Sequence, residues 1–309
     1  MKTKELYKEL GITYSFYSRF VKRFLDFTIS LIGILVLSPI FILVYLLNVI
    51  FVGFPAIYKQ ARPGKDHKLF YIYKFRSMNN KKDKDGNLLP DEMRITKFGK
   101  IMRKTSLDEL PQLFNILKGD MSIVGPRPRL VKDTMFYDKD TFKYYIVRPG
   151  LTGPTQTTGR NANTWEQVHA KDIEYDKHIT FWGDIKIFFG TFISVFKSTG
   201  ETHSNAEEDK SKDKEQEYYY ADYIRRIGEI TDEQYFYGLE LSKKIIQNKE
   251  KLVFHPELRD KELFEQMMKE KADAEKETST ETKETAEIAE TVEKPAKTEE
   301  KKTAKKSKK

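Results

Sequence analysis

The stretch FTISLIGILVLSPIFILVYLLNVIFVGFPAIY, residues 27–58, carries no charged side chain and is mostly Leu, Ile, Val and Phe. An apolar run above about 18 residues is long enough to enter a bilayer. A soluble core helix of this length and uniformity would be unusual. A secretory signal fits poorly, because the run starts late, is too long and lacks a small-residue cleavage site. Its centre reads Leu37-Ser38-Pro39-Ile40. Proline removes a backbone donor and clashes with the preceding turn, so a bend is expected there. Ser38 can return a hydrogen bond to a freed carbonyl, which lets such a break persist in lipid. Each arm is then about a dozen residues, or roughly 18 Å at 1.5 Å per residue. That reaches about the middle of a ~30 Å hydrocarbon core.

The flanks point the same way. Lys22 and Arg23 precede the run, and Lys59, Arg62, Lys65 and Lys68 follow it. Positive charge prefers the cytoplasmic side, so a re-entrant helix with both ends cytoplasmic satisfies both flanks. A straight or kinked span satisfies only one. Each basic residue near anionic headgroups adds about 1 kcal/mol of attraction.

The 309-residue chain has 55 Lys+Arg, 47 Asp+Glu and no cysteine, for a formal charge of +8. Disulfides, thiolate metal sites and a cysteine nucleophile are excluded. Residues 201–309 hold 23 basic and 28 acidic side chains, which leaves +13 on residues 1–200. Such a body attracts polyanions. A nucleic-acid binder would not explain the apolar run, and no nucleic-acid motif is present.

Four regions follow. Residues 1–58 comprise an amphipathic interfacial helix over 1–20 and the re-entrant membrane helix. Residues 59–200 form the catalytic body. It contains a strand near Lys68–Arg76, a charged loop from Asn79 to Asp91, and helices at Ile95–Met102 and Leu107–Leu117. Ser106 with Glu109 three residues on makes a capping-box pattern. Residues 181–196 form a second apolar helix, interrupted by Asp184 and Lys186, suited to packing on the membrane surface or on the first helix. Residues 201–268 are a charged linker and short helices. Residues 269–309 are Lys, Glu, Thr and Ala with little to bury, so disorder is expected. The fold class is mainly α with a small β element: a monotopic membrane protein with a Ser-Pro-broken helix.

The densest chemistry lies in Arg103-Lys-Thr-Ser-Leu-Asp108-Glu109-Leu-Pro-Gln-Leu-Phe-Asn115, then Gly119-Asp-Met-Ser-Ile-Val-Gly-Pro-Arg127-Pro-Arg129. Two carboxylates at a helix start read first as a favourable end for negative charge. With arginines around them they suit phosphoryl transfer. An aspartate can attack phosphorus, a neighbouring carboxylate can hold Mg²⁺, and guanidinium groups bind phosphate bidentately. Pro126 and Pro128 stiffen the backbone around Arg127.

The chain resembles the bacterial sugar transferase family of monotopic polyprenyl-phosphate phosphoglycosyl transferases. The resemblance runs from about Arg19 to Phe196. It rests on Lys22-Arg23-x-x-Asp26, Ser38-Pro39, Tyr73-Lys-Phe-Arg76-Ser-Met78, Arg103 through Gln112, Gly119 through Pro128, and Arg148-Pro-Gly-Leu-Thr-Gly153. It implies transfer of a sugar 1-phosphate from a UDP-sugar to undecaprenyl phosphate with release of UMP, at the cytoplasmic face of the cell membrane. The reaction would be an early step of capsule, exopolysaccharide or glycoconjugate synthesis. It further implies Asp108 as nucleophile in a ping-pong scheme, Glu109 with Asp108 as the Mg²⁺ ligands, and Arg127 as a nucleotide contact. Arg103, Arg76, Arg148 and Arg160 are further candidate substrate contacts. Lys22, Arg23, Asp26, Ser38 and Pro39 would serve the membrane anchor.

After Gly153 the chain departs from the family pattern. The run Pro154-Thr-Gln-Thr-Thr-Gly-Arg160 is more polar, which leaves the sugar undetermined. The chain otherwise resembles the minimal form, without extra N-terminal spans. Membrane lipids, a second copy of the chain and other glycan-assembly enzymes are the remaining candidate partners; nucleic acid is not. His169 and His178 read as structural or surface residues, since nothing nearby has metal-ligand spacing. The competing function is a membrane scaffold that recruits glycan-assembly proteins through the C-terminal extension.

Overall fold

Helix α1 (Thr3–Glu9) is followed by a π-helical turn, Tyr17–Val21, that leads directly into the dominant element, α2 (Lys22–Phe51). The computed structural model describes residues 3–12, 15–157, 164–200 and 219–274. The chain divides into two units, 1–259 and 260–309. The helix expected over 1–20 is shorter than expected. Gly11, at φ +66°, lets the amide of Ile12 return to the Tyr7 carbonyl at 2.8 Å and closes α1; this left-handed closure suits glycine. From Phe16 the chain is already in the long helix.

Helical backbone continues through Pro39 without an intervening non-helical residue. Pro39 lacks the N–H that would reach the carbonyl of Leu35, and the Ser38 hydroxyl donates to that carbonyl at 2.8 Å. The expected break thus carries the substitute bond inside a continuous helix. The segment Tyr17–Phe51 is long and apolar enough to cross a membrane. Its middle is largely exposed, including Ile32, Leu35, Val36, Ile40 and Leu43.

Both ends of α2 are tied to the same body. At its start, Arg23 donates to the carbonyls of Ile116 and Leu117 at 2.6 and 2.8 Å, and Asp26 accepts the Ile123 amide at 2.9 Å. Near its end, the buried Asn48 amide donates to the Arg76 carbonyl at 2.7 Å.

The body is mostly short helices around two small sheets. Strands β1 (Ile57–Pro63) and β2 (Leu69–Phe75) form an antiparallel hairpin, with Ile57 opposite Phe75 and Pro63 opposite Leu69. After it come α3 (Asp91–Arg94), α4 (Lys97–Thr105), a 3₁₀ turn at Leu107–Glu109, and α5 (Gln112–Lys118). The single helix expected over Leu107–Leu117 is therefore split. Pro111 cannot donate to the Leu107 carbonyl, so the turn closes as 3₁₀, with the Leu110 amide reaching Leu107 at 3.3 Å. The capping box is absent as well. Ser106 takes a left-handed conformation at the end of α4, and its side chain makes no cap bond.

Strands β3 (Ser122–Val124) and β4 (Gly150–Thr152) pair in parallel. A Cβ on Gly150 would lie 2.2 Å from the Gly125 nitrogen, so only glycine admits this approach. The Gly119–Pro128 and Arg148–Gly153 motifs are therefore one structural unit. Helices α6 (Val131–Thr134) and α7 (Lys139–Tyr144) lie between those strands in the chain.

Helix α8 (Trp165–Lys177) begins with a Thr164–Gln167 capping box, and α9 (Phe181–Gly200) packs on the start of α2 through an ion pair between Asp184 and Lys22 at 2.5 Å. Helices α10 (Tyr220–Arg226) and α11 (Asp232–Asn248) join the largest core, where Tyr220, Ile224 and Tyr235 meet Met135, Phe136 and Tyr137. The second unit is helical over 261–274. The linker expected at 201–217 and most of the expected tail, from 275 on, lie outside the described residues.

Asn115 fixes α5 against the hairpin. Its Oδ1 accepts the Tyr73 amide at 3.0 Å and its Nδ2 donates to the Tyr71 carbonyl at 2.7 Å, fully buried. Asn115→Ala leaves two buried backbone groups unpaired, each costing about 1–3 kcal/mol. Thermal unfolding in detergent should show a loss of roughly 2–4 kcal/mol.

Candidate active site

The carboxylates Asp108 and Glu109 sit on the 3₁₀ turn between α4 and α5, where the left-handed Ser106 on one side and Pro111 on the other fix a short connection. Asp108 is buried, 9% exposed. One oxygen of Glu109, Oε1, accepts from Lys74 at 2.8 Å and from Arg127 at 3.3 Å. Lys74 comes from β2. Residues 70, 72 and 74 share one face of that strand, and Phe70 and Ile72 on that face are buried.

Glu109, Lys74 and Arg127 line a cavity of about 220 Å³, and Asp108 is the next residue in the chain to Glu109. Four cations, Arg62, Lys74, Arg127 and Arg129, face it against two carboxylates, Glu109 and Asp133. Arg129 is paired with Asp172 at 3.7 Å and lies over the Trp165 ring. Arg62 bonds only neutral acceptors, the Pro128 carbonyl at 3.2 Å and Gln60 at 2.7 Å. Burial, and then the neighbouring Arg127 charge, pull its guanidinium down to about 10. Burial pushes the Asp133 carboxyl up to about 6. The result is a site with excess positive charge, suited to a phosphate or diphosphate.

The other arginines named from sequence are engaged elsewhere. The Arg103 Nε donates to the Ser77 hydroxyl at 2.9 Å, bracing α4. Arg76 donates to the carbonyls of Val52 and Phe54 at 3.1 and 3.3 Å, securing the chain that leaves α2. Arg148 donates through Nε to the Gly119 carbonyl at 2.9 Å and lines a separate cavity of about 400 Å³ with Lys22, Arg23 and Asp26. Arg160 lies outside the described residues. Lys74 and Arg129 were not singled out as site residues from sequence. A lysine on the buried face of an alternating strand was the available signal for Lys74.

The model of the family described as bacterial sugar transferase matches residues 17–198. The chain belongs to that family. It is 42% identical over 185 residues to the uncharacterized sugar transferase EpsL of Bacillus subtilis, covering 60% of this chain and 92% of that protein. It is 41% identical to the undecaprenyl-phosphate galactose phosphotransferase of Salmonella typhimurium, covering 59% of this chain but 42% of that one. Against the UDP-glucose:undecaprenyl-phosphate glucose-1-phosphate transferase of Klebsiella pneumoniae it is 38% identical, over 57% of this chain and 39% of the relative. The chain thus spans about two-fifths of the length of the two longer relatives.

Magnesium, expected from sequence, would meet the Asp108 and Glu109 carboxylates here. Mg²⁺ in phosphate-handling sites commonly takes one or two carboxylates and completes its shell with water and substrate phosphates. Asp108 and Glu109 supply two hard carboxylates, and among the described residues no cluster of three or more acidic or histidine ligands forms.

The histidines stand apart from this chemistry. His178 is exposed and pairs with Glu174 at 2.9 Å. His169 is packed among the rings of Tyr137, Trp165 and Tyr220, and burial pushes its imidazole down to about 3. It stays neutral in the fold while the unfolded form protonates near 6.5, so stability falls as pH drops from about 6.5 towards 3. Asp133 and Asp172, both held near 6 by burial, act oppositely and lose stability as pH rises from 3.8 to about 6. His169→Phe removes only the first contribution. The variant should lose up to about 2 kcal/mol less than wild type between pH 7 and 5, measured by thermal unfolding at the two pH values.

Proposed function

We propose that this chain transfers a sugar 1-phosphate from a UDP-sugar to undecaprenyl phosphate through a covalent phosphosugar on Asp108. The reading rests chiefly on the Glu109 carboxylate, held by Lys74 and Arg127 beside Asp108, in a cavity with more cations than carboxylates. The names of the Salmonella and Klebsiella relatives support the same reaction class.

In the first step an Asp108 carboxylate oxygen attacks the phosphorus bonded to the sugar. The bond from that phosphorus to the bridging oxygen breaks, and UMP leaves with the electron pair. In the second, a phosphate oxygen of undecaprenyl phosphate attacks the same phosphorus and the Asp108 carboxylate is released. The product is a polyprenyl diphosphate sugar. Arg127, Arg62 and Arg129 hold phosphate oxygens and their developing charge, and Lys74 orients Glu109. Bound Mg²⁺, held by Glu109 with Asp108, supplies further neutralisation of those oxygens. The burial of Asp108 limits the access of water to the intermediate.

The tethering of α2 supports the re-entrant reading of the membrane topology. A helix that crosses a ~30 Å core has its ends on opposite sides, whereas here Arg23, Asp26 and Asn48 all bond one body. That arrangement, with basic residues on both flanks, supports a re-entrant anchor and a catalytic body on the cytoplasmic face.

Two experiments test these points. Incubated with a panel of UDP-sugars and Mg²⁺ but no lipid acceptor, the protein should release UMP stoichiometrically and gain the sugar-phosphate mass on Asp108. Asp108→Asn should abolish the adduct and lower transfer by about 10³-fold or more; unchanged transfer would instead favour a scaffold. Because the chain has no cysteine, single cysteines at the exposed Glu9 and Lys81 can report topology. Both should react with an impermeant reagent from the cytoplasmic side only, and labelling from opposite sides defeats the re-entrant anchor.

A further inference from the structure

The family match ends at residue 198, yet the chain beyond it returns to the active-site cavity. Tyr219, immediately before α10, lines the same cavity as Lys74, Glu109 and Arg127. The residues after it are fixed in turn. Tyr220 is buried against the rings of Tyr137 and Trp165, at 5.3 and 5.4 Å between centroids. The Ala221 amide donates to Asp133 at 3.2 Å, and Asp222 pairs with Lys132 at 3.0 Å. The Lys132 ammonium also lies 4.3 Å from the centroid of the Tyr219 ring. Lys132 and Asp133 belong to α6, which directly follows Arg127-Pro128-Arg129. The extension is therefore clamped to the segment that delivers the phosphate-facing guanidinium groups.

The cations of this cavity account for a diphosphate but not for the rings that a nucleotide sugar carries. Its aromatic lining consists of Trp165 and Tyr219. Trp165 is 6% exposed and already covered by Arg129. Tyr219 is 54% exposed and has a cation on its ring, so it retains surface for a flat ligand group. Aromatic side chains stack nucleobases with little regard to base identity. We infer that the C-terminal extension completes the donor cavity and that Tyr219 contacts the base of the nucleotide donor while the neighbouring cations take its diphosphate. This inference rests on the proposed transferase reading.

The test uses full-length protein in detergent, with UDP-sugar turnover and, separately, calorimetric titration with UMP. Tyr219→Ala should keep the wild-type Tm, because the side chain is half exposed. It should raise KM for the UDP-sugar and Kd for UMP about tenfold, with a much smaller change in kcat. Tyr219→Phe should restore both constants, since the ring and not the hydroxyl makes the contact. Should the alanine variant fail to fold, Tyr219→Leu, which keeps apolar bulk without a flat ring, carries the same comparison. Unchanged KM and Kd in a folded variant overturn the inference while leaving the transferase reading intact. A loss of kcat without any change in KM or Kd also overturns it. A wild type that neither releases nor binds UMP overturns the transferase reading, and this inference with it.

Discussion

The side-chain amide of Asn115 is the bond on which the rest of the arrangement depends. Strand β2 has an edge that no further strand covers, and a buried edge must satisfy its backbone groups. Asn115 does so with one carbonyl and one amino group, to Tyr73 and Tyr71, which sets α5 in a single register against the hairpin. Both ends of α5 then acquire fixed positions. Ahead of it, across Pro111, the carboxylate turn is presented to Lys74, one residue beyond Tyr73. Behind it, the carbonyls of Ile116, Leu117 and Gly119 take Arg23 and Arg148. The φ of Gly119 is +95°, a conformation that favours glycine there. One seven-residue helix thus couples α2 to the carboxylate turn.

The electrostatics of the cavity run against stability in the empty protein. Burying Arg62 beside Arg127 with only neutral acceptors costs desolvation and repulsion that the local hydrogen bonds offset in part. An incoming phosphate reverses both terms. Positive groups already in place need no reorganisation when charge develops on the transferring phosphoryl group, which is where preorganised sites gain most. Glu109 moderates this field by engaging Lys74 and Arg127 through one oxygen, keeping the cations aimed without neutralising the cavity.

The long apolar helix was legible in the sequence because length and polarity are local quantities. So was the position of the carboxylate pair, because its arginine neighbours are close in the chain. The role of Ser38 could also be read, since the carbonyl freed by Pro39 is four residues back and within its reach. What escaped depends on long-range contact. Ser106 with Glu109 satisfied a capping pattern, but Pro111 two residues further on forced a 3₁₀ turn. Arg76 and Arg148 were read as substrate contacts from motifs dense with charge; long-range contact adds bonds from Arg76 to the carbonyls of Val52 and Phe54, and from the Arg148 Nε to that of Gly119. Conversely Arg62, 65 positions from Arg127, enters the cavity only because the hairpin carries it there.

The extension is the least legible part, and its packing alters where the catalytic unit ends. Phe136 and Tyr137 lie within the family match and are fully buried, but part of what buries them is Tyr220, Tyr235 and Gly238. A Cβ on Gly238 would lie 2.4 Å from the Phe136 ring, so α11 is fitted to that side chain at close range. Core aromatics of this size contribute several kcal/mol through the surface they bury, and here that surface is shared across the family boundary. The compact unit accordingly runs to Arg259. Arg259 closes it, with its guanidinium pairing to Glu229 at 2.7 Å and donating to the Tyr220 hydroxyl at 3.2 Å. The family match spans residues 17–198; the cavity beside Glu109 also takes part of its lining from Tyr219.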